Sequence, residues 1–596
     1  MNSFQEKVSF IWGLADLLRG DYKQSDYGKV ILPFTVLRRF DAIPNSAGLT
    51  FAALAQCPDQ LPRYLSGLPP EIRDIFDHFR FSGEIATLER CGLLTLLINR
   101  FCEIDLRPEA VSNHEMGYIF EELIRKFSEQ SNETAGEHFT PREVIRLMVE
   151  LVLGNDSPDG KTLYDPACGT GGMLSTAEEY VRERSPAAHL EIYGQELNAE
   201  SYAICKADAL LRGHDARQIA LGNSFMNDAF ASHTFDYMLS NPPFGVEWKK
   251  AERQIRDERE RLGFDGRFGA GLPRITDGSL LFLQHMLSKM KPGGTRMAVV
   301  FNGSPLFTGD AGSGESEIRR WIFENDWLEA VIALPDKLFY NTGLATYIWV
   351  LTNNKTAARK GKVQLIDATS FGQRMRRSLG AKRNEIPAAQ IASICEMHHK
   401  CSDGPHSKVL NNADFGYQRI VIERPLRLRF QVTPVRIRAA QEKLDPAVAA
   451  VLSQMDAQTV YRDQAGFDGA LASAFERAGI KFGRSLARRI RERFAEQDDQ
   501  AEIYRDARGR PVADTELRDH DDVPLDEDVS RWFEREVLPH APDAWIGGIE
   551  KQAGYTIPFT RYFFQLEPVR SLPEIERELQ QLERETQLLL QQLGSA

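Results

Sequence analysis

No stretch of this 596-residue chain is apolar for long enough to cross a membrane; the most apolar runs, MAVVF and ATYIWVLT, are only strand-length. The opening MNSFQEKVSFIWGLADLLRGDYKQ has no basic start followed by an apolar run and a small-residue cleavage site, so it does not read as a signal peptide. Cysteine is sparse: Cys57, Cys91, Cys102, Cys168, Cys205, Cys395 and Cys401 lie far apart, odd in number and without a CxxC. That excludes a disulfide framework and a zinc site. Cys395 and Cys401 flank His398 and His399, but one such cluster is more often incidental, and no metal is expected. A cytoplasmic address and no membrane partner follow. The chain also lacks internal repeats and the Gly-Lys-Ser/Thr ending of a phosphate-binding loop. Excess positive charge is missing too, with a formal net charge of −12. A partner rich in phosphate would then need a local basic face, or a basic companion chain to read it.

What is present falls into three parts. Residues 1–130 read as helical: Phe4, Val8, Ile11, Ala15 and Leu18 recur at helical spacing, and further helices are expected over Tyr27 to Phe40 and Met116 to Phe127. From 131 to 425 short β-rich runs (TLYDPA, LEIYGQE, FDYMLSN, RMAVVF, LEAVIAL, TYIWVLT) alternate with helical stretches. That pattern predicts an α/β domain with a mostly parallel sheet, whose ligands bind at the carboxyl ends of the strands. Residues 426–596 read as charged and mostly helical. RSLARRIRERF is a basic helix and DARGRPVADTELRDHDDVPLDED an exposed acidic loop. Between Leu572 and Leu593, Leu572, Ile575, Leu579, Leu582, Leu589 and Leu593 trace a heptad seam, suited equally to docking on its own domain or on a partner.

The middle part carries the chemistry. DPACGTGGM joins a strand to a helix, and Gly169, Gly171 and Gly172 let backbone approach a ligand closely. Asp165 and Thr170 belong to the same turn. The next strand ends in Glu196, where a carboxylate can hold both ribose hydroxyls of an adenosine ligand. Asn223 or Ser224, after a third strand, can reach its adenine ring, although Asn in a loop is usually turn chemistry. Upstream, Thr140 and Pro141 start a helix with Glu143 in its first turn; beyond simple capping they suit a lid over the far end of the ligand.

FDYMLSNPPFG is the decisive segment. An apolar strand stops at Asn241-Pro242-Pro243-Phe244, because two prolines end it and hold Asn241 extended. The exocyclic amino group of adenine is a poor nucleophile, its lone pair being delocalised into the ring. The Asn241 amide oxygen and the Pro242 carbonyl can each accept one of its hydrogens and stabilise the developing positive charge. The target base must leave the duplex, at a cost of roughly a few kcal/mol. Phe244 can stack on it and offset part of that.

DPACGTGG and NPPF, in this order and with GEHFTP upstream, resemble the motifs of amino-methylating DNA methyltransferases in their gamma arrangement. LRGDYKQSDYGKVILPFTVLRRFD, TDGSLLFLQHMLSKMKPGGTRMAVVF, ALPDKLFYNTGLATYIWVLTNNK, GAKRNEI, DFGYQRIVIERPLRLRF and GYTIPFTRYF are similar to type I restriction–modification M subunits over nearly the whole chain. The resemblance implies a Rossmann-like S-adenosylmethionine-dependent N6-adenine methyltransferase domain between an N-terminal helical domain and a C-terminal region for subunit assembly. It assigns Glu137, His138, Phe139, Thr140, Pro141 and Arg142 to the cofactor pocket with Gly169, Thr170, Gly171 and Glu196. It implies DNA, a specificity (S) subunit and a second M subunit as partners, which a restriction subunit can join. S would read the DNA, which removes the charge difficulty.

Rival readings stay weaker. Cys168 lies in the glycine turn and not in a Pro-Cys motif, which argues against cytosine C5 chemistry; N4-cytosine methylation is also amino chemistry, but Asn before the prolines and Phe after them favour adenine. Pro542-Asp543 and Glu550-Lys551 have the wrong spacing for a metal nuclease. The basic runs Arg374–Arg377 and Arg484–Arg493 would serve a self-sufficient methyltransferase that reads DNA with its own C-terminal region; otherwise they are solvated surface. Intact Asn241, Pro242 and Phe244 oppose an assembly protein with a degenerate cofactor fold.

Overall fold

The computed structural model describes residues 4–130, 140–154, 156, 158–339, 343–379, 381–440, 444–506, 508–563 and 571–594. Its centre is a nine-stranded sheet built from β1 (Lys161–Asp165), β2 (Leu190–Glu196), β3 (Ile219–Leu221), β4 (Tyr237–Ser240), β5 (Arg296–Asn302), β6 (Leu328–Ala333), β7 (Thr346–Thr352), β8 (Lys362–Asp367) and, beyond the small hairpin β9 (Gln373–Leu379) and β10 (Lys382–Glu385), β11 (Ser407–Asn411). The order across the sheet is β11-β8-β6-β7-β5-β4-β1-β2-β3. β1 to β6 and β8 share one direction; β7 and β11 run against their neighbours. Burial on both faces explains why the central strands are near-continuous apolar runs: Met297 to Phe301 and Val331 to Ile332 are fully buried. The turn at β4 marks where strand order reverses, so the carboxyl ends of β1, β2 and β4 open onto a crevice.

Helices form where the apolar spacing calls for them. Tyr27–Phe40 and Asn113–Gln130 pack with shorter helices into one N-terminal core. That core does not stop at the N-terminal region. It takes in Ala203, Ile204, Ala207 and Leu211 from the helix Ala199–Arg212, whose other face contributes Tyr202, Cys205 and Ala209 to the sheet's core. Polar contacts reinforce the junction. Asp74 accepts from the Tyr202 hydroxyl at 2.8 Å and Lys206 Nζ at 2.5 Å. Arg212, fully buried, faces Glu121, Glu178, Glu179 and Asp208. Gly117 makes room for it, since a Cβ there would meet the guanidinium carbon at 2.6 Å.

The C-terminal part is richer in strands than its composition suggests. β12 (Gly416–Glu423), β13 (Leu428–Phe430), β14 (Ala495–Gln497), β15 (Asp519–Pro524), β16 (Trp545–Ile549) and β17 (Gly554–Tyr555) complete the strands. β12 pairs with β15, β16 and β17, so this sheet crosses position 425. The segment DHDDVP, expected as an acidic loop, is therefore a strand. Aspartates disfavour strands, but here Val523 is buried and Asp522 pairs with Arg419 at 2.7 Å. The basic helix forms as expected over Arg484–Phe494. Leu572–Gly594 is a helix, and Leu572, Leu579 and Leu582 on its seam are exposed, so those positions do not dock on the chain's own body. Among the described residues, no helix is long and apolar enough to cross a membrane, and no cluster suits a metal ion.

Candidate active site

A cavity of about 720 Å³ lies at the carboxyl ends of β1, β2 and β4. Its floor is the turn after β1. Gly171 stands at φ +90° before the helix Gly172–Arg184, and Gly169 at φ +55°. Such backbone suits glycine, and space enforces it as well: a Cβ on Gly171 would meet Cys205 Sγ at 2.9 Å. Cys168 Sγ lies 3.7 Å from the same sulfur, so two buried thiols underlie the turn.

Glu196 faces that turn. One carboxylate oxygen accepts from Gly169 N–H at 2.8 Å and the other from Asn198 N–H at 2.7 Å. Both oxygens are thereby aimed, and each keeps acceptor capacity toward the cavity. Asp165 ends β1 buried, accepting from Ala167 N–H at 3.0 Å and the Ser240 hydroxyl at 2.9 Å. Burial pushes its carboxyl up to about 7, against the pull of those two hydrogen bonds. Because Ser240 precedes Asn241, Asp165 ties the glycine turn to the end of β4.

At that end Asn241 donates from Nδ2 to Thr140 Oγ1 at 2.9 Å. Its Oδ1 is buried and has no hydrogen-bond partner. Since Asn241 lines the cavity, that oxygen is available to a donor that enters there. Pro243 and Phe244 line the cavity with Asn241, Phe244 half-buried. Pro242 is buried and does not line it.

Of the expected cofactor residues, Thr140, Arg142, Asp165, Gly169, Thr170, Glu196 and Asn223 line this one cavity. Pro141 and Gly171 shape it from behind, as the first cap of the helix Arg142–Leu153 and as the positive-φ turn. Glu137, His138 and Phe139 lie outside the described residues. Asn223 accepts from Phe225 and Met226 N–H with its side-chain Oδ1, as ordinary turn chemistry would have it, while still lining the cavity. Ser224 donates to the Pro166 carbonyl at 2.6 Å.

Other lining residues escaped the sequence reading. Glu121 arrives from the N-terminal region and pairs with Arg142 at 2.8 Å. Phe282 and Leu344 come from helix and loop positions with no motif of their own. Arg267 holds the 223–225 loop by donating to the Ser224 and Phe225 carbonyls, each at 2.8 Å, and is itself held by Glu258 at 2.7 Å.

A sequence profile of N-6 DNA methylase matches residues 111–415, half of the chain, and one of the HsdM N-terminal domain matches residues 7–47. The type I restriction enzyme MjaIX methylase subunit of Methanocaldococcus jannaschii is 30% identical over 321 residues, 54% of this chain and 55% of the relative. The HindI methylase subunit of Haemophilus influenzae is 30% identical over 296 residues, 48% of this chain and 61% of that protein. The chain thus spans a little over half the length of these curated relatives. The crystal structure of a type I restriction-modification system methyltransferase subunit from Streptococcus thermophilus superposes with a TM-score of 0.58 at 20% identity, covering 69% of this chain and 96% of that one, and shares its fold.

Proposed function

The chain belongs to the N-6 DNA methylase family, and on that premise we propose that it is the modification subunit of a type I restriction–modification complex, transferring a methyl group from S-adenosylmethionine to N6 of adenine in DNA. The observation that carries this reading is the buried, unpartnered Asn241 Oδ1 at the end of β4, beside a cavity whose far wall is the Glu196 carboxylate.

The residues present fit the cofactor. Glu196 would receive the ribose hydroxyls on oxygens already aimed by two backbone N–H groups. The glycine turn brings main chain to the cavity wall at Gly169, in a positive-φ conformation that a side chain would strain. S-adenosylmethionine, when bound, supplies an electrophilic methyl on a sulfonium.

Asn241 Oδ1 would accept one N6 hydrogen of a flipped adenine. With Thr140 Oγ1 taking the amide N–H, the amide oxygen is left for the base. The second hydrogen is assigned to the Pro242 carbonyl by the order of the motif alone, since Pro242 is buried behind the lining residues. Phe244 stacks on the ring and replaces part of the lost duplex stacking. Asn241 Oδ1 and the Pro242 carbonyl would hold the two N6 hydrogens while the nitrogen takes the methyl that bound cofactor would supply, and the extra proton on N6 would then leave to solvent. Acceptors of this kind match the developing charge, so no strongly basic side chain is required.

The specificity subunit is part of the proposal. A chain of net charge −12 is a poor sole reader of DNA, and the exposed leucines of Leu572–Gly594 suit a helical partner. A second M subunit would complete the methyltransferase, and a restriction subunit can join it. The test is N6-methyladenine in a host that has none, with this chain expressed alone and with its neighbouring S gene. Methylation at one motif only with S, and lost in Asn241→Ala, supports the reading. Methylation by the chain alone would make it self-sufficient; none in either case would overturn adenine as the target.

A further inference from the structure

The cavity accounts for one base, not for the duplex from which that base is drawn. An acidic chain that approaches a polyanion needs cations that its own carboxylates have not already claimed. Near the cavity most are claimed: Arg142 pairs with Glu121, Arg267 with Glu258, and Lys337 with Asp336. Two elements stand out. Arg374 and Arg376, on β9, are exposed, and among the described residues neither makes an ion pair. Lys249 and Lys250, in the turn that follows Asn241-Pro242-Pro243-Phe244, are likewise exposed and unpaired among the described residues.

Their placement follows from the sheet. β4 and β8 run in the same direction, so the chain leaves both at the edge where the cavity opens. Lys249 and Lys250 follow β4, and the β9–β10 hairpin follows β8. Four strand spacings separate β4 from β8, about 19 Å at roughly 4.8 Å each. Asn241 stands at one end of that span, and Leu344, on the cavity rim before β7, lies within it.

Both elements are held firmly. Trp248 is buried, donates from its indole to the Arg274 carbonyl at 2.9 Å, and so pins the turn that bears the two lysines. At the hairpin base, Arg383 N–H donates to the Lys337 carbonyl at 2.8 Å and Asn384 Nδ2 to the Asp336 carbonyl at 3.0 Å. Lys382, buried, bonds Glu143, one residue from the cavity residue Arg142. Arg374 and Arg376 are two apart in a strand, so they share a face about 7 Å apart, a spacing at which two neighbouring phosphates can each take one guanidinium.

We propose that Arg374 and Arg376 on the β9–β10 hairpin, together with Lys249 and Lys250 beyond β4, are this chain's own contacts to the DNA phosphates on either side of the target adenine. The partner is the DNA backbone, read without regard to sequence. This rests on the methyltransferase reading above.

The test uses the full complex of this chain with its specificity subunit and a fluorescent duplex carrying the methylated motif. Binding is followed by anisotropy, and methylation by kcat and KM for DNA, for the wild type, Arg374→Gln/Arg376→Gln and Lys249→Gln/Lys250→Gln. All four positions are exposed, and S-adenosylhomocysteine binding by calorimetry, unchanged, verifies the fold. Each lost phosphate contact reduces the salt slope by about 0.9. Each double variant should therefore flatten the slope of log K against log salt by about two, and lose about tenfold less affinity than the wild type between 50 and 200 mM salt. KM for DNA should rise while kcat at saturating DNA holds. An unchanged slope and KM in both variants would overturn the proposal and leave the methyltransferase reading intact. A wild-type complex that binds the duplex without methylating it would sink the methyltransferase reading, while the binding slopes still decide the phosphate contacts.

Discussion

Replacing Thr140 by valine keeps the shape of a buried side chain and removes only the hydroxyl to which Asn241 donates. The bond at issue is Asn241 Nδ2 to Thr140 Oγ1, 2.9 Å long, at the wall of the cavity. Its net worth is about 0.5–1.5 kcal/mol. Without it the amide nitrogen loses its acceptor, and the flipped amide, which would present NH₂ instead of oxygen to the adenine amino group, becomes competitive. If that whole difference appears in the transition state, kcat falls by about 2- to 13-fold. The binding of cofactor should change little, because on the proposed reading Glu196 and the glycine turn would hold it elsewhere. Thr140→Ser retains the hydroxyl and should restore most of the rate. The assay is single-turnover methylation of a duplex by the complex with the specificity subunit, at saturating cofactor and DNA, with the cofactor affinity measured separately by calorimetry. Unaltered turnover in Thr140→Val would refute the orienting role. So would a serine variant as slow as the valine one, or a rate loss matched in full by weaker cofactor binding, which would make Thr140 a lid residue only.

Two further outcomes follow from the same walls. Glu196→Gln offers one acceptor where Gly169 and Asn198 N–H require two, so cofactor affinity should fall by about 10- to 100-fold, the worth of a hydrogen bond to a charged group; calorimetry showing an unchanged Kd would remove Glu196 from the ribose site. Asp165 binds its proton more tightly folded than unfolded, because burial pushes it up to about 7. Its contribution to stability is full below the unfolded value near 4 and is lost as pH rises through about 7. From pH 5 to pH 8 the urea midpoint of the wild type should therefore drop further than that of Asp165→Asn, and parallel profiles would show that the carboxyl titrates normally.

Much of the cavity lining was legible because it is written locally. Strand, glycine turn and helix are contiguous in DPACGTGGM, and the strand ending in Asn-Pro-Pro-Phe announces its own termination, so the sheet edge could be located from spacing alone. What arrived from a distance was not. Glu121 reaches the cavity from a helix whose pattern speaks only of an N-terminal core, and Arg267 clamps the 223–225 loop from an insertion with no motif. β15 was hidden for a different reason: three of its first four residues are aspartate, and the partner that makes it a strand, β12, is about a hundred residues upstream.

The helix Ala199–Arg212 has a consequence for how such a protein can be cut and recombined. It presents Ala203, Ile204, Ala207 and Leu211 to one core and Tyr202, Cys205 and Ala209 to another. A wall used from both sides has no outer face, so a methyltransferase module excised at residue 130 would carry a bare apolar stripe and the uncovered charge of Arg212 into water. Gene fusions that borrow this catalytic unit must bring the helical segment along or rewrite one face of that helix. The boundary visible in the chain's composition is thus not a seam along which the protein comes apart.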